Sequence, residues 1–310
     1  MRRKRYSIRE IAEASGVAPS TVSRVLNGSG YVSADTEKRV REVIERVGYT
    51  PSQIARGLRV GHSPTIGILV PDIVGEFFTS FSMELHTALF RRSYIPVLLN
   101  TEAISDVEAE VNRIQSALNP SGWVRVLVPP HPDRPRTPTV YVDCPVKGLR
   151  EGEALVHNDN LQIGYLATRE LIERGSRHIA MLIYNRMPGM TNSRYQGYQK
   201  ALREAGLAED PALVVECDSI SYDAGYACAQ RLLREAEHVD GIFCMGDRFV
   251  PGVLMALGEH GRRVPEDVRV VGCDDSPISR YVHGGFTTVH RYLDKLADAA
   301  ADALVTMITG

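Results

Sequence analysis

The chain holds no cysteine pair at the two-residue spacing of a metal or redox motif. Its five cysteines, Cys144, Cys217, Cys228, Cys244 and Cys273, are scattered and odd in number. That argues for reduced, buried thiols and against a disulfide framework. Long apolar runs are missing as well: "TIGILVP" falls far short of the ~20 residues a membrane helix needs. No apolar segment follows the basic "MRRKR", so a secretory signal is not expected and a cytoplasmic location is. Catalytic signatures are absent: no GxGxxG follows a strand, and GxxxxGK[ST], HExxH and GxSxG do not occur. The histidines are dispersed, and His157 and His178 read as structural. No catalytic residue, metal ligand or cofactor is therefore expected, and an enzyme is set aside.

An overall charge imbalance is missing too, but the net charge of −2 conceals an asymmetry. Residues 1–60 carry 12 Lys and Arg against 6 Asp and Glu, leaving 24 basic and 32 acidic residues for the remainder. A small basic module attached to a large acidic one suits contact with a polyanion, although a solvated basic tail has the same composition. At 310 residues, two or three domains are expected.

Within the basic part, "SIREIAEA" begins with a capping box, Ser7 with Glu10 three positions on. Ile8, Ile11 and Ala12 then share a face, and Gly16 ends the helix. A second short helix follows, with Pro19 in its first turn and an end near Asn27. The third, "SADTEKRVREVIERVG", opens on Ser33 as cap and carries an apolar stripe of Val40, Val43, Ile44 and Val47. Three helices with a tight glycine turn between the first two describe a helix-turn-helix module. Val22 and Val25 hold the second helix to the core. Its Ser20, Thr21, Ser23, Arg24 and Asn27 are left to meet phosphate oxygens and base edges in a major groove.

The segment "IREIAEASGVAPSTVSRVLNGSGYVSADTEKRVREVIERVGYTPSQIARGLRVG" resembles the headpiece of the LacI family of bacterial transcriptional regulators. "TIGILVPDI", "HNDN", "SRYQGY", "RVPEDVRVVGCDDSPISRY" and "FTTV" carry the resemblance through nearly the whole chain. It implies a homodimeric repressor on double-stranded, pseudo-palindromic operator DNA, modulated by a small polar, sugar-like effector. It adds Ser7, Pro19 and Tyr49 to the DNA-facing set. Residues 49–60 become a hinge helix in which Leu58, flanked by Arg56 and Arg59, wedges into the minor groove. A plain flexible tether is the competing reading of those residues, and Gly57 would raise the cost of ordering a helix there by about 0.5–1 kcal/mol.

From residue 61 onward, short apolar runs alternate with amphipathic stretches. Strands are expected at 65–71, 95–100, 123–129, 139–143, 178–184, 212–217, 241–245 and 268–273, with helices between them and a last helix at 292–308. This alternation describes parallel sheets covered on both faces. The resemblance implies a two-lobed core like periplasmic binding proteins: lobe 1 at 61–157 and 286–310, lobe 2 at 158–285, joined by crossovers near 143–160 and 274–292. The whole reads as an all-α headpiece at 1–48, a hinge at 49–60 and an α/β core at 61–310.

Ligands of parallel sheets bind beyond the strand C-termini. Asp72, Asp159, Arg194, Asp247 and Asp274 stand at such places, and Phe77 joins them by resemblance. For Asp159 and Asp247, each ahead of a helix, a capping role competes evenly. Arg194 and Asp274 are expected at one rim of the cleft, as ligand groups or as a structural pair. Several departures from the family stand out. Only "PHPDRPRTP" lies where a helix normally joins two strands of the first lobe, Gly246 replaces a frequent asparagine, and a helix runs directly to Gly310 where relatives usually add a strand. The effector's identity therefore does not carry over, and an effector-independent regulator stays open. A two-lobed solute-binding receptor is the alternative from another class, and the basic headpiece speaks against it.

Overall fold

The computed structural model describes residues 6–27, 30–49, 63–102, 104–132, 134, 136–184 and 188–310, with the backbone alone at Asn27 and Pro188. The chain divides into two compact units, Met1–Pro64 and Thr65–Gly310. The hinge residues Arg56, Leu58 and Arg59 lie outside the described residues.

The first unit holds α1 (Ile8–Ser15), α2 (Pro19–Asn27) and α3 (Ala34–Val47). The capping box forms as read: the Glu10 N–H donates to Ser7 Oγ at 3.3 Å, and the Ser7 N–H donates to Glu10 Oε2 at 2.7 Å. Gly16 takes the left-handed conformation, φ +67°, that ends α1 and turns the chain into α2. Ser33 sits at the cap position of α3, but its hydroxyl donates to Thr36 Oγ1 at 2.9 Å instead of capping the backbone. Ile11, Ala12, Val22, Val25, Val40 and Val43 close a core among the three helices. Burying Val22 and Val25 forces the polar face of α2 outward.

The second unit contains two five-stranded, all-parallel sheets. The first has the order β2–β1–β3–β4–β5, built from β1 (Thr65–Val70), β2 (Ile95–Asn100), β3 (Gly122–Val126), β4 (Thr139–Val142) and β5 (Glu153–Val156). On one face, α4 (Glu76–Arg91) and α10 (Leu293–Thr309) bury Phe81, Leu85, Leu296 and Leu304 against Ile66, Ile68, Val124 and Val140. On the other, α5 (Val107–Leu118) packs Val111 and Ile114 on Leu69, Leu99 and Trp123. No helix joins β3 to β4 among the described residues, in keeping with the proline-rich connection.

The second sheet has the order β10–β9–β8–β6–β7, from β6 (Ile179–Ile183), β7 (Val214–Glu216), β8 (Gly241–Cys244), β9 (Arg269–Asp274) and β10 (Thr287–His290). Its helices are α6 (Asn160–Glu173), α7 (Pro188–Glu204), α8 (Tyr222–Glu235) and α9 (Val250–Glu259). Helices α6 and α7 cross at Gly164 and Gly197. A Cβ on either would fall about 2 Å from a carbonyl oxygen of the other helix, Arg194 O or Leu161 O. That close crossing seats Arg194 at the sheet's C-terminal edge.

Two strands escape the reading of apolar runs. β5 and β10 lie in the segments read as lobe-to-lobe crossovers. Each is four residues long and only half-buried or exposed, so neither makes the continuous apolar run of a central parallel strand. β10 pairs with β9, which moves residues 287–290 from lobe 1 to lobe 2. The chain passes between lobes at 157–159 and 291–292, much shorter connections than expected.

Candidate functional site

In the first unit, Ser20 and Arg24 are exposed on α2, with Thr21 and Ser23 half-buried beside them. Pro19, Ser20 and Ser23 line a concavity of about 440 Å³ together with Ile8 and Arg9. Arg9, exposed beside Ser7, is a cation that the motif reading passed over. Asn27 is the last residue of α2, while Tyr49 is half-buried against the three-helix core.

In the second unit, the strand C-termini of both sheets face a cavity of about 590 Å³. Asp72, Phe77, Arg194, Asp247 and Asp274 all line it. Asp159 does not. It is exposed at the N-cap of α6, where its carboxylate accepts the Gln162 N–H at 2.9 Å, so its role is the capping one.

Asp247 is buried in the cavity wall, and both its oxygens are taken. Oδ2 accepts from the Ser276 N–H and hydroxyl at 2.8 Å each, and Oδ1 accepts from Thr288 Oγ1 at 2.6 Å. Burial, with the Asp274 charge adding to it, pushes this carboxyl up to about 7 against the pull of those donors. It braces the 275–288 loop, and these three protein donors leave at most one of its lone pairs to a ligand.

Arg194 and Asp274 both line the cavity, as expected from the two strand ends, but they do not form the structural pair that is the alternative reading. Asp274 accepts from Arg291 Nη1 at 2.9 Å. Arg291 also donates to Asp143 and, through Nε at 3.0 Å, to Asn158 Oδ1, while its guanidinium lies 4.1 Å over the Phe77 ring. Burial disfavours the Arg291 charge, but Asp143 and Asp274 outweigh it and hold its pKa above the ordinary value. Asp274 itself takes φ +124°, a backbone state costly for a non-glycine residue.

Arg194 is 2% exposed. Its Nε donates to Asn160 Oδ1 at 3.0 Å and its Nη1 to the Met245 carbonyl. Nη2 is buried and has no protein partner among the described residues. Arg291, Asp143, Asn158, Asn160 and Arg248 are the functional groups the reading missed. Asp143 and Arg248 follow strands β4 and β8, so the strand-end rule could have reached them. Arg291 follows β10, which went unrecognised.

The sequence pattern of the bacterial regulatory proteins of the lacI family matches residues 7–52, and that of a periplasmic binding protein-like domain matches residues 168–310. The HTH-type transcriptional repressor PurR of Haemophilus influenzae (strain PittEE) is 30% identical over 98% of this chain and 91% of its own. The chain belongs to the LacI family. Among solved structures, the LacI-family likeness extends to the transcriptional regulator CelR in complex with cellobiose. That protein is 31% identical, with a TM-score of 0.72 over 99% of this chain and 94% of the other. The lac repressor dimer bound to operator and an anti-inducer shares the fold, with a TM-score of 0.83 at 22% identity over 99% and 94% of the two chains. This LacI-family chain is thus a DNA-binding transcriptional regulator: a helix-turn-helix unit joined to a two-sheet, periplasmic-binding-protein-like core. No helix among its described residues is long and apolar enough to cross a membrane.

Proposed function

We propose that the protein is a cytoplasmic, non-enzymatic repressor that binds a pseudo-palindromic operator as a homodimer and takes a small polar, sugar-like effector in its interlobe cavity. Arg194 is the observation that carries the effector part. Two of its nitrogens are held by the protein, and its buried Nη2 is left over in a residue lining the cavity. Leaving a buried donor unpaired costs about 1–3 kcal/mol, which a ligand oxygen would recover. The CelR structure holds cellobiose, a ligand of that chemistry.

The DNA part rests on α2, whose short hydroxyl side chains and single guanidinium face outward because its valines are buried. Homodimerisation is supported by the apolar groups Met83, Phe90, Ile95 and Leu98, exposed on α4 and the edge strand β2, and by the dimer seen for the lac repressor.

The test is a thermal-shift screen of mono- and disaccharides and other polar metabolites, followed by footprinting with each hit. A compound that raises the melting temperature of the wild type, changes protection of a two-half-site operator and does neither with Arg194→Ala supports the reading. A hit that acts equally on both proteins removes Arg194 from the ligand site. Failure to protect any DNA sequence overturns the repressor assignment.

A further inference from the structure

The mouth of the cavity carries a set of contacts that effector binding at Arg194 does not use. Asp72 and Glu76 belong to lobe 1, at the end of β1 and the start of α4. Tyr222 and Arg248 belong to lobe 2, at the start of α8 and just past β8. Arg248 Nη1 donates to Asp72 Oδ2 at 2.6 Å, and the Tyr222 hydroxyl donates to Glu76 Oε1. Both bonds run from one lobe to the other. A third approach, Arg248 Nε to Glu76 Oε2, stops at 3.9 Å, and both of those atoms are buried without a hydrogen bond. The Arg248 guanidinium also lies 5.9 Å from the centre of the Tyr222 ring.

The local backbone is shaped for this arrangement. Asp72 is fixed by the N–H groups of Val74 at 2.6 Å and Gly75 at 3.0 Å, so its carboxylate is oriented before Arg248 reaches it. Gly75 leaves the space the ion pair occupies, since a Cβ there would stand 3.0 Å from both Arg248 Nη1 and Asp72 Oδ2. Arg248 and Asp72 are only 24% and 20% exposed, so water screens the pair far less than it screens a surface salt bridge.

We propose that Arg248 and Tyr222 form a latch on Asp72 and Glu76 that holds the two lobes closed across the cavity mouth through protein groups alone. Closure of the core is then an intrinsic property of the chain. Any ligand that enters from the mouth must first break the Arg248–Asp72 and Tyr222–Glu76 contacts, and Arg248 sets how readily that occurs. The incompletely paired Arg248 Nε and Glu76 Oε2 make the latch one that opens: the two sides are bound at two points, with a third left unmade.

The experiment is small-angle X-ray scattering, paired with amide hydrogen exchange, on the full chain with nothing added. It compares the wild type with Arg248→Met, with Tyr222→Phe and with the double variant. The latch requires a larger radius of gyration and lost amide protection at residues 72–76 and 219–222 in the double variant, with its circular dichroism unchanged. It requires a smaller shift of the same sign in Tyr222→Phe, which removes one hydroxyl and keeps every charge. A folded double variant with the wild-type radius and protection overturns it, as does an unchanged Tyr222→Phe should Arg248→Met fail to fold. Because no ligand enters this measurement, its failure leaves the effector reading standing, and a fruitless ligand screen leaves the latch standing.

Discussion

Arg291 Nη1 donates to Asp274 Oδ1 at 2.9 Å, so the carboxylate expected at the rim beside Arg194 is held instead by a cation from the segment that joins the lobes. The same guanidinium reaches Asp143 at the end of β4 in lobe 1. One buried cation therefore ties a strand end of each sheet to the point where the chain crosses between them. Ligand contact at Asp274 is confined to what Arg291 leaves free.

Replacing Arg291 with Gln removes that charge and leaves two carboxylates facing each other in a desolvated place. Breaking a buried ion pair from one side costs about 3–5 kcal/mol, and urea unfolding of Arg291→Gln at neutral pH should show a loss of that size. A loss below about 1 kcal/mol, the ceiling for an exposed pair, would mean that the pair contributes no more than a surface contact.

Asp247 makes stability depend on pH in a stated direction. Its carboxyl titrates near 7 in the folded protein against 3.8 as an ordinary group. Below about pH 4 both states hold the proton and stability is at its full value. Between about pH 4 and 7 the unfolded chain has released its proton while the folded chain keeps it, so stability falls as pH rises through this window, by roughly a few kcal/mol. Asp247→Asn should flatten that slope. Denaturant melts of both proteins from pH 4.5 to 8 supply the comparison, and parallel curves would remove Asp247 as the titrating group.

Asp159→Ala tests the capping assignment. Loss of a helix N-cap costs about 0.5–2 kcal/mol, so the melting temperature should fall modestly. The response to any effector found by the screen should remain as in the wild type. A variant that keeps its melting temperature and loses the response would restore Asp159 to the ligand site.

Arg24→Ala should weaken operator binding by about 1–3 kcal/mol in fluorescence anisotropy, whether the guanidinium meets a base edge or a phosphate. The salt series separates the two. A phosphate contact lowers the slope of log K against log salt by about one, whereas a base contact lowers affinity and relaxes sequence preference at one position. Unchanged affinity would take Arg24 out of the interface.

Much of this protein was readable from local pattern alone. The Ser7–Glu10 capping box, the Gly16 turn, the buried Val22 and Val25 and the central strands β1, β3, β6, β8 and β9 all follow from short-range periodicity and cap chemistry. Those signals lie within a dozen residues of one another and do not need the rest of the chain. The strand-end rule likewise brought Asp72, Arg194, Asp247 and Asp274 to one cavity, because parallel sheets aim all their C-termini the same way. Local pattern did not decide which of these groups a ligand can use. Asp247 is engaged by Ser276 and Thr288, Asp274 by Arg291, and Asp72 by Arg248, and these partners are 29 or 41, 17 and 176 residues away. The edge strands β5 and β10 also depended on their neighbours, since four half-exposed residues become a strand only when a sheet is there to pair with. A carboxylate's chemistry is local and legible in sequence, but whether its lone pairs are free is decided by which distant donors the closed lobes bring to it.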